Sequence, residues 1–239
     1  YFSDLLGNHT LVTAVQLNSG FGNNFSLKGT AAEAGYFDQS HRWQWGVIGG
    51  QVPYLSGGVS STVGFAPQAG AVQVDQFIID RQTEQSASLL TAYPFDRARR
   101  VEFQAGTTRV SFDRRIETTV SSLTTGVVLA DDVTNAATLA PSLNLANTSA
   151  AFVYDTSAFG ATSPISGQRY RLEAAPTFGA LTFTNLLVDY RRYLMPAPFY
   201  TIAARVVHDG RYGSGGEDQR LFPMYIGYPS LVRGYDINT

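Results

Sequence analysis

Three features of the amino-acid sequence predict an all-β protein, in the form of an antiparallel transmembrane β-barrel. Apolar and polar residues alternate in several segments with a period of two, which is the period of a strand. Compact turns alternate with longer connections along the chain, and aromatic residues collect near the compact turns. No segment approaches the roughly 20 consecutive apolar residues of a membrane helix, so the sequence excludes a helical membrane protein.

The alternation is clearest between residues 168 and 174, where charged side chains alternate with Tyr170 and Leu172. Residues 100–105 alternate in the same way. Residues 200–207 also alternate, but the face opposite the apolar one is only partly polar there. In a barrel, the charged face contacts water in the lumen and the apolar face contacts lipid. The predicted lumen-facing charges are Arg100, Glu102, Arg169, Arg171, Glu173 and Arg205. The predicted lipid-facing residues are Val101, Phe103, Tyr170, Leu172, Ile202 and Val206.

The same patterns predict nine strands and two kinds of connection. The strands are expected at residues 10–18, 25–37, 43–54, 75–93, 99–116, 145–157, 167–178, 181–194 and 199–210. Every second connection is compact, at 38–41, 94–98, 159–166 and 195–198. Long loops rich in Gly, Ser, Thr and Asn are expected at 55–74 and 117–144, and again from Gly210 onward. Short turns at one rim and long loops at the other are typical of outer-membrane barrels, and short hairpins favour antiparallel pairing.

Aromatic residues near the compact turns predict an interfacial girdle, because Trp and Tyr side chains suit the boundary between lipid and water. The predicted girdle contains Trp43, Trp45, Tyr93, Phe95, Tyr190, Tyr193, Phe199 and Tyr200. A soluble β-sandwich with aromatic strand ends is the alternative. Sandwich strands usually have about five or six residues, whereas several segments here exceed ten, which favours the barrel.

Composition and motifs argue against several other classes of protein. The net charge of −2 gives no basic field for nucleic acid, and the absence of Cys excludes a disulfide scaffold or a thiolate site. The three His residues lie far apart and lack metal-ligand spacing, so we expect no metal, no cofactor and no enzymatic activity. A Ser–His pair across strands stays open as an alternative. The acidic pairs 131–132 and 217–218 are expected in solvated loops, where binding of a hard cation is the less favoured alternative.

The most specific residues lie near the C-terminus. Residues 221–236 read Leu-Phe-Pro-Met-Tyr-Ile-Gly-Tyr-Pro-Ser-Leu-Val-Arg-Gly-Tyr-Asp. This segment resembles the sixth extracellular loop of BamA/TamA-type outer-membrane barrels, the bacterial surface antigen superfamily, in which a Val-Arg-Gly-Phe/Tyr motif follows a Pro-Leu/Phe-Tyr stretch and a Gly. Residues 94–100 resemble a periplasmic turn of those barrels, and residues 167–178 and 189–193 resemble the strands that lead into the loop. The resemblance covers roughly the last 150 residues.

The resemblance implies a barrel in the bacterial outer membrane that assembles or translocates proteins, or lipids, through a lateral seam. It implies that residues 211–239 form an extracellular loop that folds back into the lumen, with the motif Val232, Arg233, Gly234, Tyr235 and Asp236. Arg233 would pair there with an acidic residue of the wall. The family places eleven of sixteen strands before this motif, whereas nine are predicted here. We therefore expect residues 1–239 to be a single N-terminal and central portion of such a barrel, with five more strands after Thr239. The difference in strand number is expected to mean that two strands precede Tyr1, that some predicted strands are merged, or that the barrel is a smaller variant.

The implied partners are outer-membrane lipids, lipopolysaccharide and unfolded outer-membrane proteins or periplasmic and lipoprotein companions, with no nucleic acid. Two alternatives stay open at this point. One is a passive outer-membrane channel or receptor, and the other is a structural barrel subunit of a larger membrane complex. The sequence shows no periplasmic module of the POTRA type, which weakens the assembly hypothesis.

Overall fold

The computed structural model describes residues 1–17, 29–67, 69–136 and 140–224. Twelve antiparallel strands form one sheet, which is not closed among these residues. The strands are β1 (Phe2–Ser3), β2 (His9–Gln16), β3 (Ala31–Asp38), β4 (Gln44–Ala66), β5 (Gly70–Pro94), β6 (Arg99–Ser122), β7 (Val128–Ala136), β8 (Leu143–Asp155), β9 (Ala158–Phe159), β10 (Pro164–Gly179), β11 (Phe183–Ala197) and β12 (Tyr200–Tyr212).

The sheet is a meander in which β1 to β6, β8 and β10 to β12 pair in chain order. β7 pairs with β6 beside β8, and the two-residue β9 pairs with β10. Each of the nine predicted strands overlaps one of the long strands, so the predicted all-β antiparallel meander is confirmed. The described residues contain no helix with the length and hydropathy needed to cross a membrane.

The two long loops expected between residues 55 and 144 are wrong. β4 continues to Ala66 and β5 begins at Gly70, so a short turn replaces the loop predicted at 55–74. Gly70 has a φ of 73°, a left-handed conformation that glycine adopts without steric cost. The loop predicted at 117–144 is mostly strand, since β6 runs to Ser122 and β7 and β8 follow. The Gly, Ser and Thr residues in these segments suggested loops, but cross-strand pairing holds them extended. This pairing is continuous between β4 and β5 and shifts register once between β6 and β7.

The long strands extend the sheet well beyond their neighbours. Among the described residues, β3 pairs with β4 as far as Gln51, and β8 pairs with β6 as far as Val110. Beyond these points β4, β5 and β6 continue together and β7 joins them. We call residues 52–66, 70–84, 111–122 and 128–136 the β4–β7 extension. At about 3.4 Å per residue, its fifteen-residue strands are roughly 50 Å long.

The buried apolar cluster lies on one side of the sheet, near the base of the β4–β7 extension. Its members are Val110, Leu143, Leu145, Leu181 and Phe183, with Phe112 and Leu221 packed against them. Leu221 follows β12 by several residues, so the chain after β12 returns to the sheet.

Candidate functional site

The strand register separates the predicted lumen-facing and lipid-facing residues onto opposite faces of the sheet. Each strand alternates its side chains, and the registers of β6, β8, β10, β11 and β12 are continuous across this region. The charged face carries Arg100, Glu102, Arg169, Arg171, Glu173 and Arg205. The apolar face carries Val101, Phe103, Tyr170, Leu172, Ile202 and Val206.

The charged face holds an ion-pair network across three strands. Arg171 on β10 donates from Nη1 to Glu102 Oε2 on β6 at 2.6 Å, across the intervening β8. Its Nε donates to Glu173 Oε2 at 2.7 Å, and Arg100 Nε donates to the other oxygen of Glu102 at 2.5 Å. The network therefore gives each glutamate an arginine partner and links β6 to β10.

A second group on the charged face centres on Asp189 of β11. Its Oδ2 accepts from Arg191 Nη2 at 2.6 Å and from Arg205 Nη2 at 2.8 Å. Arg191 and Arg205 also donate from Nε to Oδ1 of the same carboxylate. The sequence-based prediction included Arg205 but missed Asp189 and Arg191. Asp189 and Arg191 alternate with Val188, Tyr190 and Arg192, and this alternation could have placed them on the charged face. The charge of Arg192, which lies on the apolar face, made the pattern harder to recognise.

Residues 213–224 lie against the charged face. Leu221 packs on the buried cluster, and the ring of Phe222 lies 4.4 Å, centroid to centroid, from Tyr54 of β4. Arg211 Nη1 donates to the carbonyl oxygen of Phe222 at 2.8 Å. A polar cavity of about 300 Å³ separates this segment from β5, β6 and β10, and Glu84, Ala175 and Arg220 are among its lining residues.

Within this segment, Asp218 and Arg220 form a local clasp. Asp218 Oδ1 accepts from the backbone N–H of Arg220 and from its Nε, each at 2.9 Å, and Oδ2 accepts from Nη2 at 2.8 Å. These hydrogen bonds, led by the one from the guanidinium, lower the pKa of Asp218 from 3.8 to about 2.

Acid should open this clasp. Because the folded pKa of Asp218 is depressed, the stabilisation is present above pH 4 and is lost as the pH falls from about 4 to about 2. We expect amide hydrogen exchange at Arg220, corrected for its intrinsic pH dependence, to accelerate over this interval. Asp218→Asn should remove the pH dependence, and persistence of the transition in that variant would show that another group is responsible.

Phe222 should anchor the segment through its contact with Tyr54. We expect Phe222→Ala to destabilise the docked segment by about 1–2 kcal/mol through lost aromatic contact and apolar burial. The measurement is the rate of tryptic cleavage after Arg220 in the folded protein. Phe199→Ala is the matched control, since Phe199 is 99% exposed and should leave this rate unchanged. Equal rates in wild type and Phe222→Ala would mean that Phe222 does not hold the segment.

The apolar face contains a band of side chains that nothing in the described structure covers. On β10 this apolar band runs from Tyr170 to Phe178. The end of the band that lies farther from the compact turns is marked by a row of polar residues on four neighbouring strands, namely Gln51, Gln85, Arg109 and Asn144. Nine residues match the length of a membrane-spanning strand.

Most of the predicted girdle residues lie on the apolar face or in the turns that border it. Trp43 packs on Tyr93 with ring centroids 5.5 Å apart, and Tyr93 packs on Phe95 at the same distance. Trp45, Tyr190 and Tyr200 share the apolar face by register, and Phe199 lies in the β11–β12 turn. Tyr193 differs: it shares the charged face with Arg191, so the register does not favour it as a girdle residue.

Other sequence-predicted features fall into three groups. Residues 232–236, including Arg233, lie outside the described residues. Asp131 and Asp132 lie on β7 rather than in a loop, whereas Glu217 and Asp218 lie in the segment after β12. Within the described ranges, no group of three or more His, Asp or Glu residues could hold a metal ion.

The histidines have separate local partners. His9 Nδ1 lies 2.8 Å from the hydroxyl of Tyr36, and His208 Nε2 lies 2.8 Å from the hydroxyl of Tyr212. His41 Nδ1 lies 2.7 Å from Oγ of the adjacent Ser40. That serine also donates to Asp38 in the β3–β4 turn, an arrangement typical of a side-chain-capped turn.

Comparison of the chain with protein-family models, with curated proteins and with solved structures found no match. The resemblance to BamA/TamA-type barrels therefore stays a prediction, carried by the quoted residues alone.

Proposed function

We propose that this chain forms part of the wall of a bacterial outer-membrane β-barrel of the BamA-like type, which assembles or translocates proteins, or lipids, through a lateral seam. The observation that carries the membrane part of this proposal is the inverted polarity of the sheet. The carboxylates of Asp189, Glu173 and Glu102 are paired with arginines and largely shielded on one face, while apolar side chains are open on the other.

The exposed fractions of the side chains show the inverted polarity of the sheet. On the apolar face Phe103, Ile202 and Val206 are 43%, 59% and 66% exposed. On the charged face the side chains of Asp189, Glu173 and Glu102 are only 15%, 22% and 26% exposed. In water, a sheet buries its apolar face, and large exposed apolar surfaces mark contact with protein or membrane. Lipid contact along a band of nine residues accounts for both faces at once.

The segment after β12 supports the more specific part of the proposal. In the resembled barrels the loop that carries the Val-Arg-Gly-Tyr motif folds back into the lumen. Here residues 213–224 precede the motif in the sequence and lie on the charged face, held by Leu221, Phe222 and the hydrogen bond from Arg211. A loop anchored in this way would brace the wall while the seam opens.

The proposed activity needs no covalent chemistry from the chain. A seam between terminal strands of a barrel presents unpaired backbone N–H and C=O groups, and such an edge can template an incoming strand by β-augmentation. The work of the protein would then be to align a substrate strand with hydrogen-bonding groups at the lipid boundary.

Reconstitution tests this proposal. The full-length protein would be placed in liposomes, and the folding rate of a small unfolded outer-membrane protein would be compared with that in empty liposomes. We expect acceleration, and we expect Arg233→Ala to reduce it. Steady ion conductance without acceleration would replace the proposal with a passive channel. Absence of both activities would favour a structural subunit, and failure to enter liposomes would overturn the membrane assignment itself.

A further inference from the structure

Three arginines lie side by side on the charged face, one on each of three neighbouring strands. Arg169 of β10 is the register partner of Arg191 of β11, which is the register partner of Arg205 of β12. We call these three residues the arginine row. Directly opposed residues have Cβ atoms about 4.5–5.5 Å apart, and like charges in that position are destabilising. The row therefore requires compensating negative charge.

The carboxylates of the described structure compensate this row unevenly. Asp189 serves both Arg191 and Arg205, with Oδ2 contacts of 2.6 and 2.8 Å. Arg169 faces Asp155, but its Nε lies 3.7 Å from Oδ2, beyond hydrogen-bonding distance. The carboxylate of Asp155 also accepts from the backbone N–H and the hydroxyl of Ser157. The Arg169 side chain is 45% exposed, so its guanidinium is open to solvent.

Among the described residues, the other carboxylates on this face do not pair with Arg169. Arg171, on the next register row, is bound to Glu102 and Glu173. Asp209 follows Arg205 by four residues on β12, which places it about 13 Å away along the strand. Each nearby glutamate therefore already has a partner, and Asp209 is distant from Arg169.

We propose that the arginine row binds a small multivalent oxyanion with phosphate chemistry, dissolved in the water that contacts the charged face. Guanidinium groups bind phosphoryl oxygens through paired, charge-assisted hydrogen bonds. Two inter-strand steps separate the outer members of the row by about 10 Å. A single phosphate cannot contact all three groups across that distance, so the geometry favours an anion with two adjacent phosphoryl groups. This site does not require the assembly function, only the fold.

Titration of the full-length protein in detergent micelles tests the site independently of any membrane activity. Sodium pyrophosphate and sodium phosphate would each be titrated at low ionic strength and followed by isothermal calorimetry. We expect pyrophosphate to bind more tightly than phosphate. Arg169→Gln should weaken pyrophosphate binding at least about tenfold, the loss of roughly one charge-assisted hydrogen bond. Arg169→Lys, which keeps the charge, should lose less.

Two further variants sharpen this test. Arg192→Gln is the matched control, because Arg192 follows Arg191 on the same strand, lies on the opposite face and contacts Gln168 at 3.1 Å. It should bind pyrophosphate like the wild type. Asp189→Asn removes the carboxylate that Arg191 and Arg205 share and should bind pyrophosphate severalfold more tightly. No binding by the wild type at millimolar pyrophosphate, or equal losses in Arg169→Gln and Arg192→Gln, would overturn the proposal.

Discussion

Ala174→Arg is expected to destabilise the protein in a lipid bilayer by about 2–4 kcal/mol, the range for an arginine on the lipid face of a barrel near the midplane. Ala174 lies at the centre of the apolar band on β10, where its register partners are Ala150 on β8 and Leu186 on β11. These neighbours offer no acceptor for a guanidinium. The measurement is the free energy of unfolding in denaturant, with the protein folded into phosphatidylcholine vesicles.

The adjacent residue gives a closely matched control. Ala175 is also an alanine on β10, but it lies on the charged face and lines the polar cavity of about 300 Å³. Ala175→Arg makes the same chemical change beside a cavity that can accommodate part of the new side chain, so its effect should stay within about 1 kcal/mol. Equal costs for the two variants, or a larger cost for Ala175→Arg, would mean that the apolar face does not contact lipid.

Asp189→Asn is expected to produce the second large effect, a loss of about 2 kcal/mol in the free energy of unfolding. Removing one member of a buried ion pair leaves uncompensated charge and costs about 3–5 kcal/mol. The value expected here is smaller because Arg191 and Arg205 keep some contact with water, their side chains being about a third and a quarter exposed. Denaturant unfolding in micelles or vesicles measures the loss.

Asp96→Asn provides the comparison for this change. Asp96 pairs with Arg99 in the β5–β6 turn, where both side chains are well exposed. Exposed pairs contribute at most about 1 kcal/mol, and asparagine can still accept the backbone hydrogen bonds from Ala98 and Arg99. If Asp189→Asn proves no more harmful than Asp96→Asn, the charged face is better hydrated than its geometry indicates.

Period-two alternation was sufficient to predict which residues lie on the charged face and which on the apolar face. Successive side chains of a strand point to opposite faces, so the polarity of each residue indicates the environment on its own side. Tyr170, Arg171 and Leu172 show this in three consecutive positions. The β4–β7 extension escaped prediction for a physical reason. Residues 55–66 are rich in Gly, Ser and Thr, and their pairing with residues 70–81 holds them extended. Pairing is a non-local property that the composition of one segment does not contain.

The contacts of the candidate site were predictable only in part. The alternation placed Arg171 and Glu102 on the same face of the sheet, but it did not show that they form an ion pair across β8. The contact between Phe222 and Tyr54 joins residues far apart in the chain, and no spacing rule relates them. The resemblance drew attention to residues 221–236, of which only the first four lie in the described part of the chain.

The β4–β5 hairpin also has a consequence for how the chain folds. Its register is continuous from the pair Ala66–Gly70 to the pair Gln44–Ala92, so each new pair forms beside one already made. Starting from the Ala66–Gly70 pair, the hairpin can form one pair at a time, with little loop entropy to overcome at any step. The pairing of β6 with β8 must instead wait for the intervening residues 123–142 to be bridged. The β4–β5 and β5–β6 hairpins are equally long and both continuous in register, so both are placed to form early, as a template on which the remaining strands add in order.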